Sequence, residues 1–198
     1  MSLIDSKYSL LIQAINKIEP FETNEIKDIL DFFEIVRVGK NHTLVAYKSY
    51  TKYIYFINKG FLRLYIPFQD KEYTRFIASV GSFISAFPSF INQKESLEVL
   101  ECISECELIR ISRNNFEKLR NLSLKSSKLI IQIYQQIIIA MEARSLELML
   151  LSAEQRFDAL LAQHPEYFQS IPSKILASYI GMQPETFSKC KNKLKKLK

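Results

Sequence analysis

The sequence predicts an α+β fold: an antiparallel β-structure flanked by helices, then one long helix, then a C-terminal helix–turn–helix. Three observations predict it. Short runs rich in β-branched and aromatic residues recur about every ten residues between Ile35 and Ile111. Apolar residues then recur at helical spacing over one long stretch, Ser123 to Leu151. Finally, Ile171 to Lys195 reads as two short helices joined at Gly181. The chain has 198 residues, 47% of them hydrophobic, with four glycines and six prolines. That is ample for a buried core and leaves little for disordered tracts. The expected units are 1–122, 123–151 and 152–198.

The first unit should open with helix. Leu10, Leu11, Ile15 and Ile18 follow a helical period from about residue 3 to Pro20, and Thr23 can cap a second helix holding Ile26, Ile29 and Leu30. The strand runs are Ile35–Val38, Thr43–Val45, Tyr53–Ile57, Phe61–Ile66, Tyr73–Ile77, Leu97–Leu100 and Leu108–Ile111. Several alternate apolar and polar residues, which argues for an antiparallel barrel or sandwich. Asn58-Lys59-Gly60 marks a turn between two of them. Ser112 can cap a short helix holding Phe116 and Leu119.

In the long helix, Ile130, Ile133, Tyr134, Ile137, Met141, Leu148 and Leu151 lie near heptad spacing. Ile137-Ile138-Ile139 makes its middle apolar on nearly all sides. One face would then pack on the β-domain and another on a second copy. A core helix within a monomer is the alternative. Arg144 interrupts each seam that can be drawn, which speaks against a regular coiled coil. Ser152-Ala153-Glu154-Gln155 matches a capping box and opens a new helix with Phe157, Leu160 and Leu161.

In the C-terminal pair, Pro172 suits a first helical turn, and Ile175, Leu176, Tyr179 and Ile180 give that helix an apolar face. Gly181 supplies the turn, Ala177 is small where two helices cross, and Pro184 starts the second helix. Phe187, Cys190 and Leu194 form its apolar stripe. The opposite face carries Glu185, Ser188, Lys189, Asn192 and Lys193, a set that can meet a major groove. A plain helical hairpin with a solvated basic face is the bland alternative. Glu185 and Lys189, one turn apart, suit base edges. Thr186, Ser188, Asn192 and Lys193 suit phosphates, as do Ser173 and Lys174 at the start of the first helix.

The net charge is +6, and from Lys189 onward there are six lysines and no acid. Such an end attracts phosphate, from nucleic acid or a membrane surface, or is simply solvated. No secretory signal is read in the first residues, and the greasiest run, Leu129–Met141, is too short and too glutamine-rich to span a bilayer. Cys102, Cys106 and Cys190 are odd in number and poorly spaced for a disulfide framework, so reduced buried thiols in a cytoplasm are expected. A redox pair of Cys102 and Cys106 is the alternative. With only His42 and His164, no metal cluster, catalytic triad or phosphate loop is legible, so no enzyme and no cofactor are expected.

A β-domain, a long helix and a C-terminal helix–turn–helix, in that order, resembles the Crp/Fnr family of bacterial transcription regulators. Tyr55 to Gly60, Ile175 to Gly181 and Pro184 to Lys189 carry the resemblance most specifically. It implies a β-roll of the cyclic-nucleotide-binding type (a double-stranded β-helix), a dimerisation helix, binding of a palindromic operator as a homodimer, and RNA polymerase as a possible partner. The short Tyr167–Pro172 linker resembles Bacteroidetes-type members and leaves little room for the family's two-stranded wing. The family's recognition helix usually carries Arg where Lys189 stands.

The family's phosphate-binding segment corresponds to Gly81–Pro88 and Glu95–Leu97. Ala86 stands where the ribose-binding Glu would be, and Glu95 stands where the phosphate-binding Arg would be. The resemblance therefore implies a sensor that does not take cyclic nucleotides. What remains is a pocket around Phe56, Phe83, Ser85, Ala86, Phe87, Glu95 and Ser96, with an unknown effector, or aromatics that are simply core. The absence of an N-terminal cysteine cluster argues against the family's iron–sulfur variant. The competing class is a small-ligand sensor or scaffold module that does not touch DNA.

Overall fold

A computed structural model describes residues 7–196. Two helices, α1 (Ser9–Ile18) and α2 (Thr23–Leu30), precede eight strands: β1 (Phe33–Val38), β2 (Thr43–Val45), β3 (Tyr53–Lys59), β4 (Leu62–Phe68), β5 (Lys71–Ala78), β6 (Phe83–Ile84), β7 (Val99–Cys102) and β8 (Cys106–Ser112). A short helix, α3 (Phe87–Asn92), lies between β6 and β7. Then follow α4 (Arg113–Arg120), the 27-residue α5 (Leu124–Leu150), α6 (Ala153–Gln163), α7 (Tyr167–Ser170), α8 (Ser173–Tyr179) and α9 (Pro184–Lys196).

The strands form two antiparallel four-stranded sheets, ordered β1-β8-β3-β6 and β2-β7-β4-β5. β3 and β8 are buried on both faces. Tyr55 and Ile57 of β3, with Cys106 and Leu108 of β8, point into the roll and meet Leu62, Leu64, Leu100 and Cys102 of the other sheet. Ile54, Phe56, Ile109 and Ile111 point the opposite way, under α1, α2, α4 and the start of α5. This double burial explains why β3 reads as an unbroken apolar run rather than an alternating one.

Gly60 closes the β3–β4 turn at φ +98°, and a Cβ there would stand 2.5 Å from the Glu105 carbonyl oxygen and 2.6 Å from Cys106 Sγ. Gln69 and Asp70 turn β4 into β5 with φ of 47° and 61°, the paired positive values of a type I′ hairpin.

The local helix starts follow side-chain chemistry. Ser112, Ser123 and Ser152 each accept a backbone N–H three residues on, and Gln155 returns a bond to the Ser152 N–H at 2.8 Å. Two expectations shift. Glu22, not Thr23, caps α2, because Glu25 reaches back to the Glu22 N–H at 2.7 Å and completes a reciprocal box. Pro172 sits at the cap of α8 in an extended conformation (ψ 135°), one residue before the first turn. The helix expected from residue 3 begins at Ser9 among the described residues, which exclude residues 3–6.

Candidate nucleic-acid interface and sensor crevice

α8 ends in a Schellman turn. Gly181 has φ +65°, its N–H bonds the Ser178 carbonyl, and the Met182 N–H bonds the Ala177 carbonyl at 2.9 Å. The turn sends the chain into α9, whose Phe187 is fully buried against Phe157 and Phe168, with ring centroids 5.2 and 5.8 Å away. Ala177 is fully buried with it. Cys190 is half-buried on the same stripe, and the Leu194 side chain lies outside the described residues.

With Phe187 inward, periodicity puts the other side of α9 in solvent. Glu185, Thr186, Ser188, Lys189, Asn192 and Lys193 are all exposed. Lys174 is exposed at the start of α8. Ser173 is half-buried and already engaged: its Oγ accepts from Lys191 Nζ at 3.3 Å, while the same ammonium donates to the Phe168 carbonyl at 3.1 Å. Lys191 is thus a clamp inside the helical pair. No strand follows Ser112 among the described residues, so none of them forms a wing.

Two arginines hold the end of α8, and sequence reasoning missed the part each plays. Arg144 of α5 donates to the Tyr179 carbonyl, pairs with Glu147 at 3.0 Å, and stacks 4.2 Å over the Tyr179 ring. Arg156 of α6 donates to the Ile180 carbonyl at 2.6 Å. Cations at a helix C-terminus complement its dipole and satisfy its orphan carbonyls. Arg144 therefore points into its own chain, where it serves the end of α8. The signal was available: Arg144 and Glu147 are three apart, on the face opposite Ile138.

That opposite face of α5 is exposed and rich in apolar residues, with Gln135, Glu142 and Ser145 among them. Ile131, Ile138, Ile139, Leu146 and Met149 are 55, 58, 68, 49 and 69% exposed. Only Ser126, Leu129 and Ile130 of the whole helix are buried.

The residues expected around a sensor pocket do not converge on one site. Phe56 is core, 4.9 Å from Phe83 between ring centroids. Ala86 is fully buried at the start of α3, and Ser96 is buried, donating to the Glu98 carbonyl at 2.8 Å. Glu95 is exposed. Phe83, Ser85 and Phe87 do share a crevice of about 250 Å³ between the roll and α5, with Arg75, Gln136, Ile137 and Met141. Ser85 donates to the Tyr53 carbonyl at 2.9 Å. Arg75 is ion-paired at 2.9 Å with Glu98, a buried acid whose carboxyl is raised above the usual range by burial, an effect that Arg75 opposes. Phe83 and Phe87 also line an apolar gap beneath α1, α2 and α4, of about 40 Å³. That is far below the ~150 Å³ that accepts a benzene ring, so it is packing slack.

Cys102 and Cys106 are free and buried, both in the interior of the roll. A hydrogen bond to Cys106 and burial push the Cys102 thiol up, which keeps it protonated. No group of three or more metal-binding side chains occurs among the described residues, and no described helix is long and apolar enough to cross a membrane.

No protein-family model and no curated protein matches the chain. Solved structures do. FixK2 from Bradyrhizobium japonicum is 14% identical with a TM-score of 0.72, covering 83% of this chain and 85% of its own. The c-di-GMP-responsive global regulator CLP from Xanthomonas campestris is 18% identical with a TM-score of 0.68, covering 88% of this chain and 92% of its own. The Catabolite Activator Protein of Thermus thermophilus is 17% identical with a TM-score of 0.56, covering 92% and 87%. These neighbours are Crp/Fnr-type regulators, and the α+β architecture described above, roll, long helix and C-terminal helices together, is their fold.

Proposed function

We propose that the chain is a DNA-binding transcription regulator of the Crp/Fnr type that acts as a homodimer, with 1–122 as sensor, 123–151 as dimerisation helix and 152–198 as DNA-binding unit. One observation carries the reading: α9 is anchored by Phe187 on one side and presents Glu185, Lys189, Asn192 and Lys193 to solvent on the other. A helix so held can enter a major groove without disturbing its own core. The exposed apolar residues of α5 support the dimer, since large exposed apolar surface marks interaction sites. Glu185 can accept from cytosine N4 and Lys189 can donate to guanine, while Lys193, a turn further on, meets backbone phosphate. The shared fold supports a role in transcription rather than catalysis, in a cytoplasm, with RNA polymerase as a further partner.

A gel shift on random duplex DNA at low and moderate salt tests the reading. Binding should weaken steeply as salt rises, by counterion release. Failure to bind at low salt would favour a scaffold or ligand-sensing module. On a preferred duplex, Lys189→Ala should lose about 1–3 kcal/mol and relax one base position per half-site, whereas Lys193→Ala should weaken all duplexes alike.

The sensor reading rests on Ala86, whose side chain cannot accept from a ribose hydroxyl, and on Glu95, which would repel a cyclic phosphate. Cyclic AMP and cyclic GMP at millimolar concentration should leave the melting temperature unchanged. A ligand at a hundred times its dissociation constant would add about 2.7 kcal/mol, so a clear upward shift with either nucleotide would overturn this reading.

A further inference from the structure

The helical pair does not hang on a free tether. α8 packs along β5, the outer strand of its sheet. An outer strand leaves N–H and C=O groups without a strand partner, and those that become buried need one. Ser178 provides it. Its Oγ accepts the Thr74 N–H at 2.9 Å and donates to the Glu72 carbonyl at 2.7 Å. One hydroxyl thus does what a neighbouring strand would do at that point of the edge.

Other contacts hold the same segment from different directions. Ile77 of β5 and Ile103 of the β7–β8 corner share an apolar cluster with Leu176, Ala177, Ile180 and Phe187. The Phe61 ring meets Tyr167 edge-on, with centroids 5.7 Å apart. Arg144 reaches the Tyr179 carbonyl and ring from α5. Hydrogen bonds from β5 and α5, with apolar contact from the strand corner, hold the pair from three directions. Glu185, Lys189 and Asn192 stay exposed while α8 is docked. The docked arrangement therefore leaves the groove-reading face open.

We infer that Ser178, together with Arg144, is a positioning residue that sets the spacing between the two half-sites the dimer accepts. The inference rests on the regulator reading above. In a two-fold dimer, the distance between recognition helices follows from how each helical pair sits on its own sensor body. A docked pair demands one spacing, and a pair released from β5 accepts several. The choice of base stays with Glu185 and Lys189. The contact needs a hydroxyl rather than bulk, so Ser178→Thr should preserve it.

Two measurements on the full chain test this, using wild type, Ser178→Ala, Ser178→Thr and Arg144→Met. The first is amide exchange without DNA. Ser178→Ala should speed exchange at Thr74 by about two- to tenfold, the range a net hydrogen bond is worth, and Ser178→Thr should restore protection. The second is competition binding on a selected palindrome and on versions with one or two base pairs added or removed between half-sites. Wild type and Ser178→Thr should prefer one spacing. Ser178→Ala and Arg144→Met should lose that preference while keeping the same preferred half-site sequence. Unchanged spacing preference in Ser178→Ala, with Thr74 deprotected, overturns the inference and leaves the regulator reading standing. Unchanged protection at Thr74 also overturns it. A wild type that binds no duplex at all overturns both.

Discussion

α5 carries apolar residues on two faces, whereas a monomer needs them on one. The face towards its own chain holds Leu129, Ile130, Ile133 and Tyr134 along its first half and Arg144 and Glu147 further on, and the face away holds Ile131, Ile138, Ile139, Leu146 and Met149 beside Gln135 and Glu142. A helix in a single chain normally hides its apolar stripe and wets its charges. Here the inward charges have specific duties, because Arg144 satisfies the carbonyl end of α8. The outward residues touch nothing in their own chain that would bury them. Apolar area left in water forgoes about 25 cal/mol per Å², which is the driving force for a second copy to cover it. The inner face thus joins the parts of one chain, and the outer face is the one the proposed dimer would cover.

The comparison breaks most sharply at Leu129 and Ile138. Leu129 is 2% exposed, on the inner side near the start of α5. Leu129→Ala should cost about 2–5 kcal/mol of unfolding free energy at any protein concentration, as truncation in a packed core does. Ile138→Ala should leave the monomer's unfolding intact and weaken association by about 1–2 kcal/mol, visible only as a shift with concentration. Denaturant titrations at several concentrations, with sedimentation, separate the two. Equal, concentration-independent losses would show that α5 has no outer interface.

Arg144→Met sharpens the inner side. It keeps the length of the side chain but removes the bond to the α8 carbonyl and the pair with Glu147. A hydrogen bond to a charged group is worth about 1.5–3 kcal/mol, so the helical pair should melt earlier while the roll holds. Residue-level exchange over 173–193 against 53–64 reads this directly. A uniform change across both regions would contradict it.

Glu98 gives the smallest effect and fixes its sign. Burial raises its carboxyl pKa although Arg75 opposes the shift. A raised acid binds its proton more tightly in the folded chain. Its contribution is therefore present at low pH and is lost as pH rises from the usual carboxylate range through the raised value. Glu98→Gln should stabilise slightly at neutral pH, and the gain should vanish below the usual range. Melting temperatures of both proteins across pH 3–8 check the sign. A gain that grows as pH falls would reverse it.

These elements also show what a sequence exposes and what it hides. The outer face of α9 was legible because one helix carries it, and Phe187 and Cys190 set its period. Capping chemistry at Ser112, Ser123 and Ser152 was equally local. The crevice between the roll and α5 was not legible, because Arg75, Ser85 and Gln136 come from β5, the β6–α3 link and α5, and no local period joins them. Phe56 and Ala86 were drawn towards it by family analogy and proved to be core. Ser178 and Arg144 were hidden for the same reason as the crevice: each acts on an element distant in the chain. The long helix misled in one respect. In the heptad Ile130, Ile133, Tyr134, Ile137, Met141, Leu148 and Leu151, the first four lie on the inner side and Met141 and Leu148 are exposed, while a further exposed stripe runs one residue on, through Ile131, Ile138 and Ile139.

In the proposed function, two copies of this chain read DNA together through α9. Selection of bound duplexes from a random pool by the purified protein tests it most directly. Two copies reading through α9 should enrich a pair of inverted half-sites, centred about one helical turn apart, near 10–10.5 base pairs, with guanine or cytosine where Lys189 and Glu185 meet base edges. Recovery of no enriched sequence at low salt, or of single half-sites with no inverted partner, would contradict it.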